Sequence, residues 1–212
     1  TPNESNANYA WIQHFLYHLS PSGSAGFVMA NGALSSKAKT DGVIRQAMIK
    51  ADVVDCIVAL PDKLFFNTGI PACLWFLSKK RNGNGHRDRH GEVLFIDARD
   101  MGEMITRAQR QLTADDIERI SSVYNTWRSR NEYKNYENVP GFCKSSTIQE
   151  IANNDFILTP GRYVGLDDSI SPDAEPVEEK IARLTSELLA EFDRGRELES
   201  MIRMRLGGIK WN

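Results

Sequence analysis

The side chains able to do chemistry fall in three short stretches. Asn31, Ser35 and Ser36 follow an apolar run, residues 25–30, that reads as a buried strand. Ligands of open α/β sheets gather at the carboxyl ends of such strands, so the three are cleft candidates, and a flexible polar loop fits them as well. Phe65, Phe66, Asn67 and Thr68 stand just before Gly69 in the loop 61–71. The phenylalanines also fit as core anchors of that loop, and the amide and hydroxyl as local turn formers. Lys79, Lys80, Arg81, Arg87 and Arg89, with His86 and His90, form the one basic cluster. Its charge suits phosphate contact, and a solvated hairpin tip fits the same composition. The two histidines lack the cysteine or carboxylate spacing of a metal site, and no metal is expected.

The elements that position these residues alternate. Residues 9–19 carry Tyr9, Ile12, Phe15, Leu16 and Leu19 at helical spacing. Residues 25–30, 53–60 and 72–77 are apolar runs of the kind buried on both faces of a sheet, and a helix over 43–51 separates the first two. No helix separates the second from the third, which predicts antiparallel pairing there. A basic, glycine-bearing loop over 78–91 reads as exposed and leads to a strand at 92–97. A helix over 113–127 begins with Thr113 as N-cap. Residues 139–165 mix a short helix near 147–153 with strand-like pieces at 156–158 and 162–164. After a polar linker, 167–176, comes a long amphipathic helix, 177–206. Its apolar positions Ile181, Leu184, Leu188, Phe192, Leu198 and Ile202 recur every three or four residues, broken at Gly195.

Composition narrows the partners. A net charge of −2 over 212 residues lacks the basic excess of a protein that grips DNA unaided, so either it does not touch DNA or a partner supplies most contacts. No run approaches the roughly 18 apolar residues of a membrane span, and the polar start shows no signal-peptide pattern. Cys56, Cys73 and Cys143 are an odd number without ligand spacing. Buried free thiols in a reducing cytoplasm are the expectation.

Four segments make the reading specific. They are Asn8-Tyr9-Ala10-Trp11-Ile12-Gln13-His14 with Gly26-Phe27-Val28-Met29-Ala30-Asn31-Gly32; Ile57-Val58-Ala59-Leu60-Pro61 running into Leu64-Phe65-Phe66-Asn67-Thr68-Gly69-Ile70-Pro71-Ala72-Cys73-Leu74-Trp75-Phe76-Leu77; Gly91-Glu92-Val93-Leu94-Phe95-Ile96-Asp97-Ala98-Arg99; and Gly141-Phe142-Cys143-Lys144 with Leu158-Thr159-Pro160-Gly161-Arg162-Tyr163-Val164-Gly165. In this order they resemble the modification subunit of type I restriction-modification systems, an N6-adenine DNA methyltransferase family. The resemblance implies an α/β fold: the carboxyl-terminal half of a doubly wound, Rossmann-like methyltransferase sheet with an antiparallel last strand, plus a helical arm. Strands 25–30, 53–60 and 72–77 become its fifth, sixth and seventh. The implied organisation is a half-sheet domain over 1–110, a helical and mixed extension over 111–166, the linker and the arm.

The resemblance also assigns roles. The family moves methyl from S-adenosylmethionine to the exocyclic nitrogen of adenine. An enzyme acting on a duplex base extrudes it and holds it against an aromatic face, which makes Phe65, Phe66, Asn67 and Thr68 the implied target-base pocket. The implied partners are a specificity subunit gripped through the arm, a second modification subunit, a restriction subunit and double-stranded DNA, with no membrane. The family's glycine-rich cofactor loop and its Asn-Pro-Pro-Phe motif do not occur in these 212 residues. An aromatic amine needs such a motif, because oxygens must accept its hydrogens and aim its lone pair. The expectation is therefore that no residue here is catalytic, that the chain alone binds no cofactor and transfers no methyl, and that a half-sheet with an open edge dimerises or is marginally stable. The competing expectation is a non-catalytic interaction module built on the same half-fold.

Overall fold

The computed structural model describes residues 1–2, 6–83, 85–130, 135–165 and 177–207. The expected linker, 167–176, lies outside them. Two units are distinguished, Thr1–Asp167 and Asp168–Asn212.

The first unit is a mixed α/β layer structure. Helix α1 (Asn8–His18) leads to β1 (Ser24–Ala30), and after a short α2 (Gly32–Ser35) comes α3 (Lys39–Lys50). Strands β2 (Val54–Ala59), β3 (Ala72–Ser78) and β4 (Glu92–Asp97) follow, then a small hairpin, β5 (Glu103–Met104) and β6 (Arg110–Gln111). Helix α4 (Ala114–Arg128), strand β7 (Cys143–Thr147), helix α5 (Ile148–Asn153) and a 3-10 turn (Pro160–Arg162) complete it. The five-stranded sheet has the order β1-β3-β2-β4-β7. The helix-free step is antiparallel, as expected, and β3 lies between β1 and β2, antiparallel to both. Strand β2 runs parallel to β4, and β7 runs antiparallel to β4. The carboxyl ends of β1, β2 and β4 therefore share one edge of the sheet, which the loops after them build up.

Both faces of the sheet are covered, which explains the unbroken apolar strands. On one face Ile57, Trp75 and Phe95 pack with Tyr9 and Ile12 of α1, Met48 of α3 and Ile151 of α5. On the other, Cys56, Val58, Leu94 and Ile96 pack against Trp127 of α4. The capping box that starts α4 is present: the Thr113 side chain accepts from the Asp116 amide, and Asp116 accepts from the Thr113 amide. All three cysteines are free and buried. Burial pushes the Cys73 thiol up to about 12, so it is not a nucleophile.

The structure departs from the sequence expectation in three places. The sheet takes its fifth strand, β7, from the region expected to be a separate extension. Residues 156–158 form no strand, because Asp155 and Phe156 both take positive φ, 55° and 54°. Residues 162–164 are not a strand either. Pro160 opens a 3-10 turn, and the Tyr163 ring stacks on Phe95 at 3.9 Å between centroids. In the second unit the long helix is present as expected, α6 (Val177–Gly207).

Candidate functional site at the carboxyl edge of the sheet

Four connections meet at this edge: residues 31–38 after β1, 61–71 between β2 and β3, 98–113 after β4, and the turn at Pro160–Arg162. The loop 61–71 carries the most exposed apolar side chains. Phe65 and Thr68 form an isolated antiparallel bridge, closed by a hydrogen bond from the Thr68 amide to the Phe65 carbonyl at 3.4 Å. The Thr68 hydroxyl accepts from the Ile70 amide at 3.1 Å. This turn separates the two phenylalanines. Phe65, 43% exposed, lines a cleft of about 240 Å³ with Val28, Met29, Ala30, Thr68, Ile70, Pro71 and Ala72. Phe66 is thrown outward, 89% exposed, with Asn67 beside it at the tip.

The loop is held from below. Lys63, two residues before Phe65, takes a left-handed φ of 59°, and its carbonyl accepts from the Arg110 amide at 2.9 Å. Arg110 Nη1 donates to the carbonyls of Met101 and Gly102, both at 3.1 Å, and its Nε lies 3.6 Å from Asp62. The β5–β6 hairpin is thus pinned to the start of the loop. Gly102 has a φ of 81°, and a Cβ there would lie 2.8 Å from the Gln111 carbonyl oxygen, so only glycine fits.

The cleft loop after β1 is also pinned. Arg45, buried on α3, donates to the Phe156 carbonyl at 2.6 Å, to the Tyr9 hydroxyl at 3.3 Å and to the Ser36 carbonyl at 3.4 Å. The Tyr9 hydroxyl donates to the Ala33 carbonyl at 2.6 Å. The Ser36 hydroxyl donates to the buried Asp41 carboxylate at 2.7 Å, which gives Ser36 a structural part. Ser35 is exposed. Asn31 Oδ1 is buried with no hydrogen-bond partner among the described residues. Spacing alone does not reveal Arg45 or Tyr9. The Asp41–Arg45 interval of one helical turn is the only sequence hint of this network.

The basic cluster lies elsewhere, and for three of its five cations the phosphate reading is corrected. Residues 79–90 leave the end of β3 opposite the cleft. Seven strand residues, about 20 Å, separate the two ends. Arg81 and Arg89 are 2% exposed and both donate to Asp55, which is 1% exposed and also accepts from the Tyr124 hydroxyl at 2.7 Å. Arg81 further donates to the carbonyls of Arg89 and Glu92. Burial lowers the Arg81 guanidinium below its ordinary value, opposed by Asp55 and Asp52. Arg87 pairs with Glu92 at 2.6 Å and lies over the Trp127 ring. Lys79 donates to the Leu19 carbonyl. Lys79 and Lys80 are both exposed and neither pairs with a described carboxylate. The signal for this cluster was a lone aspartate in the apolar run 53–60. A carboxylate buried on both sides must be paired.

Helix α6 presents Ile181, Leu184, Leu188, Phe192, Leu198 and Ile202 between 47% and 58% exposed. No described helix is long and apolar enough to cross a membrane.

Comparison with known proteins places this geometry. The profile of the N-6 DNA methylase family matches residues 1–170. The HindI methylase subunit, a type I restriction enzyme component of Haemophilus influenzae, is 49% identical over 209 residues, which is 99% of this chain and 45% of that protein. The MjaIX methylase subunit, a type I restriction enzyme component of Methanocaldococcus jannaschii, is 43% identical over 98% of this chain and 36% of its own length. The crystal structure of the type I restriction-modification methyltransferase subunit from Streptococcus thermophilus superposes with a TM-score of 0.66 at 29% identity, over 79% of this chain and 32% of that one. The chain spans less than half the length of these relatives. It belongs to the N-6 DNA methylase family and is similar over nearly its whole length to part of the methylase subunits of type I restriction enzymes.

Proposed function

We propose that this chain is the carboxyl-terminal part of the adenine-N6 DNA methyltransferase subunit of a type I restriction-modification complex, and that it supplies the target-base side of the active site together with an assembly arm. The observation that carries the reading is the Phe65–Thr68 turn. It sets one aromatic side chain into a cleft at the carboxyl edge of the sheet, where ligands of α/β sheets bind. The order β1-β3-β2, with β3 antiparallel to both neighbours, supports taking these strands as the fifth, seventh and sixth of a methyltransferase sheet.

In this reading Phe65 stacks on an adenine extruded from the duplex. Asn31, next in the chain to cleft-lining Ala30, borders the cleft with its Oδ1 buried and without a partner among the described residues. Asn67 and Thr68 close the turn around the base. S-adenosylmethionine supplies the methyl group in the intact protein. The residues here do not form its seat. The glycine-rich loop that such a seat needs does not occur in these 212 residues. No step through the cofactor is assigned to this chain, and the chain alone transfers no methyl. The exposed stripe of α6 supports its docking on a specificity subunit, with a second modification subunit and a restriction subunit completing the complex on DNA. An interaction module without catalysis would account for α6 but not for the aromatic cleft.

The test is base extrusion. The assembled complex is bound to a duplex carrying 2-aminopurine at the target adenine, and fluorescence is read for wild type and Phe65→Ala. The expected result is a rise with wild type that the variant loses while still binding the duplex. An equal rise with both would remove Phe65 from the pocket.

A further inference from the structure

The basic residues near positions 79–90 are tied into the fold, so phosphate contact requires other cations. The carboxyl edge has them. Lys37 and Lys39 stand exposed on the connection from β1 to α3. Lys63 precedes the Phe65–Thr68 turn by two residues. Arg107 is exposed at the tip of the β5–β6 hairpin, and Arg162 is exposed on the turn beside Asp97 and Arg99. None of the five pairs with a described carboxylate. Asp100, Glu103 and Asp115 are exposed acids at or next to this edge, whereas Asp97 holds Arg99 at 2.6 Å, Asp62 lies 3.6 Å from Arg110, and Asp41 is buried.

We infer that Lys37, Lys39, Lys63, Arg107 and Arg162 form the DNA-phosphate contact surface of this subunit, set around the base-holding turn. The inference rests on the reading of that turn given above. Three features favour duplex DNA as the occupant. The cations come from four separate connections at the sheet edge that also holds the cleft, so they spread along that edge instead of marking one point. None is held in an ion pair with a described residue, although the overall charge of the chain is −2, so their charge is available to phosphate where the base must enter. The hairpin that carries Arg107 is fastened to Lys63 by the Arg110 amide at 2.9 Å, so two of the five hold a fixed spacing about the turn. Phosphate contacts of this kind set register and orientation, and leave sequence reading to another part of the complex.

The test is the salt dependence of duplex binding by the assembled complex, measured by fluorescence anisotropy between about 50 and 200 mM salt. The slope of log K against log salt falls by about 0.9 for each phosphate contact removed, hence by about 4.5 for each subunit on the duplex that carries all five cations changed to glutamine. Lys79→Gln with Lys80→Gln at the opposite edge keeps the wild-type slope. A fall smaller than one contact, about 0.9, or a slope lost only in the Lys79/Lys80 variant, overturns the inference. Phe65→Ala in the 2-aminopurine assay separates the two readings. If the fivefold variant loses slope while Phe65→Ala leaves 2-aminopurine fluorescence unchanged, the surface stands and the pocket falls. If Phe65→Ala abolishes the signal and the fivefold variant keeps its slope, the pocket stands and the surface falls.

Discussion

Changing Asp55 to asparagine removes the one negative charge that two buried guanidiniums share. Arg81 and Arg89 each have a side chain 2% exposed, and both reach the same Asp55 oxygen. Removing one partner of a buried ion pair costs about 3–5 kcal/mol, because the remaining charge stays out of water. Asparagine keeps an acceptor oxygen, Arg81 retains Asp52 at 3.5 Å, and its Nη2 retains two backbone carbonyls. The lower end, about 3 kcal/mol, is therefore expected. For a unit the size of Thr1–Asp167, each kcal/mol lowers the melting temperature by about 2–4 °C, so Asp55→Asn should melt about 6–12 °C below wild type. Urea unfolding followed by circular dichroism gives the free energy directly. Adding Arg81→Met and Arg89→Met should recover much of the loss, since apolar groups of similar volume replace buried ion clusters at little cost. A change below about 0.5 kcal/mol for Asp55→Asn, the range of ordinary surface substitutions, would refute the reasoning. It would mean that Arg81 and Arg89 are solvated in solution, and would return them to the phosphate surface.

Other outcomes follow from the same geometry. Phe65→Ala should weaken extruded-base binding by about 1–3 kcal/mol, the worth of one aromatic stack, and Phe66→Ala by less; binding of an abasic-gap duplex with free adenine compares the two. Leu188→Asp with Phe192→Asp should abolish capture of the specificity subunit in a pull-down and leave the melting temperature of the first unit unchanged, because both residues are more than half exposed. Burial pushes Glu92 upward, but hydrogen bonds from Arg87 and Ser145 outweigh it and hold the carboxyl below the usual range. A lowered folded value contributes stability above the unfolded value near 4.5 and loses it as pH falls through the folded one. Glu92→Gln should therefore lose less stability than wild type on acidification below about pH 4.5, and an identical acid loss would count against the pairing. Calorimetric titration of S-adenosylmethionine into this chain alone should give no binding heat, and one-to-one binding would require a new strand assignment.

Much of the sheet was legible because both of its faces are buried. Apolar runs at 25–30, 53–60 and 72–77 announce such strands, and the missing helix between the last two announces the antiparallel step. Strand β7 was hidden because Lys144, Ser145 and Ser146 look like a polar loop. They pair with β4 at the sheet margin, where Ser146 is buried despite its polarity. The segment 162–164 looked like a strand because Tyr163 and Val164 favour one. Its aromatic ring lies flat on Phe95 instead, a contact between positions 68 residues apart that no local pattern encodes. At the site, the Phe65–Thr68 loop was legible through its aromatic pair before Gly69. The arginines near position 85 misled because charge reads as solvent exposure until a buried partner is known, and Asp55 lies some 30 residues away. The cations of the carboxyl edge went unnoticed for the converse reason. Lys37, Lys63, Arg107 and Arg162 are scattered in sequence and gathered only by the topology.

The division of labour is tested most directly by single-turnover methyl transfer from radiolabelled S-adenosylmethionine to duplex DNA. The complex is assembled with the full-length subunit, either wild type or carrying Phe65→Ala. The predicted result is a methyl-transfer rate at least about tenfold lower, in line with losing one stacked base contact of 1.4 kcal/mol or more, with unchanged affinity for the cofactor. A normal transfer rate with weakened cofactor binding would contradict the account, and would put this edge of the sheet on the cofactor side of the active site.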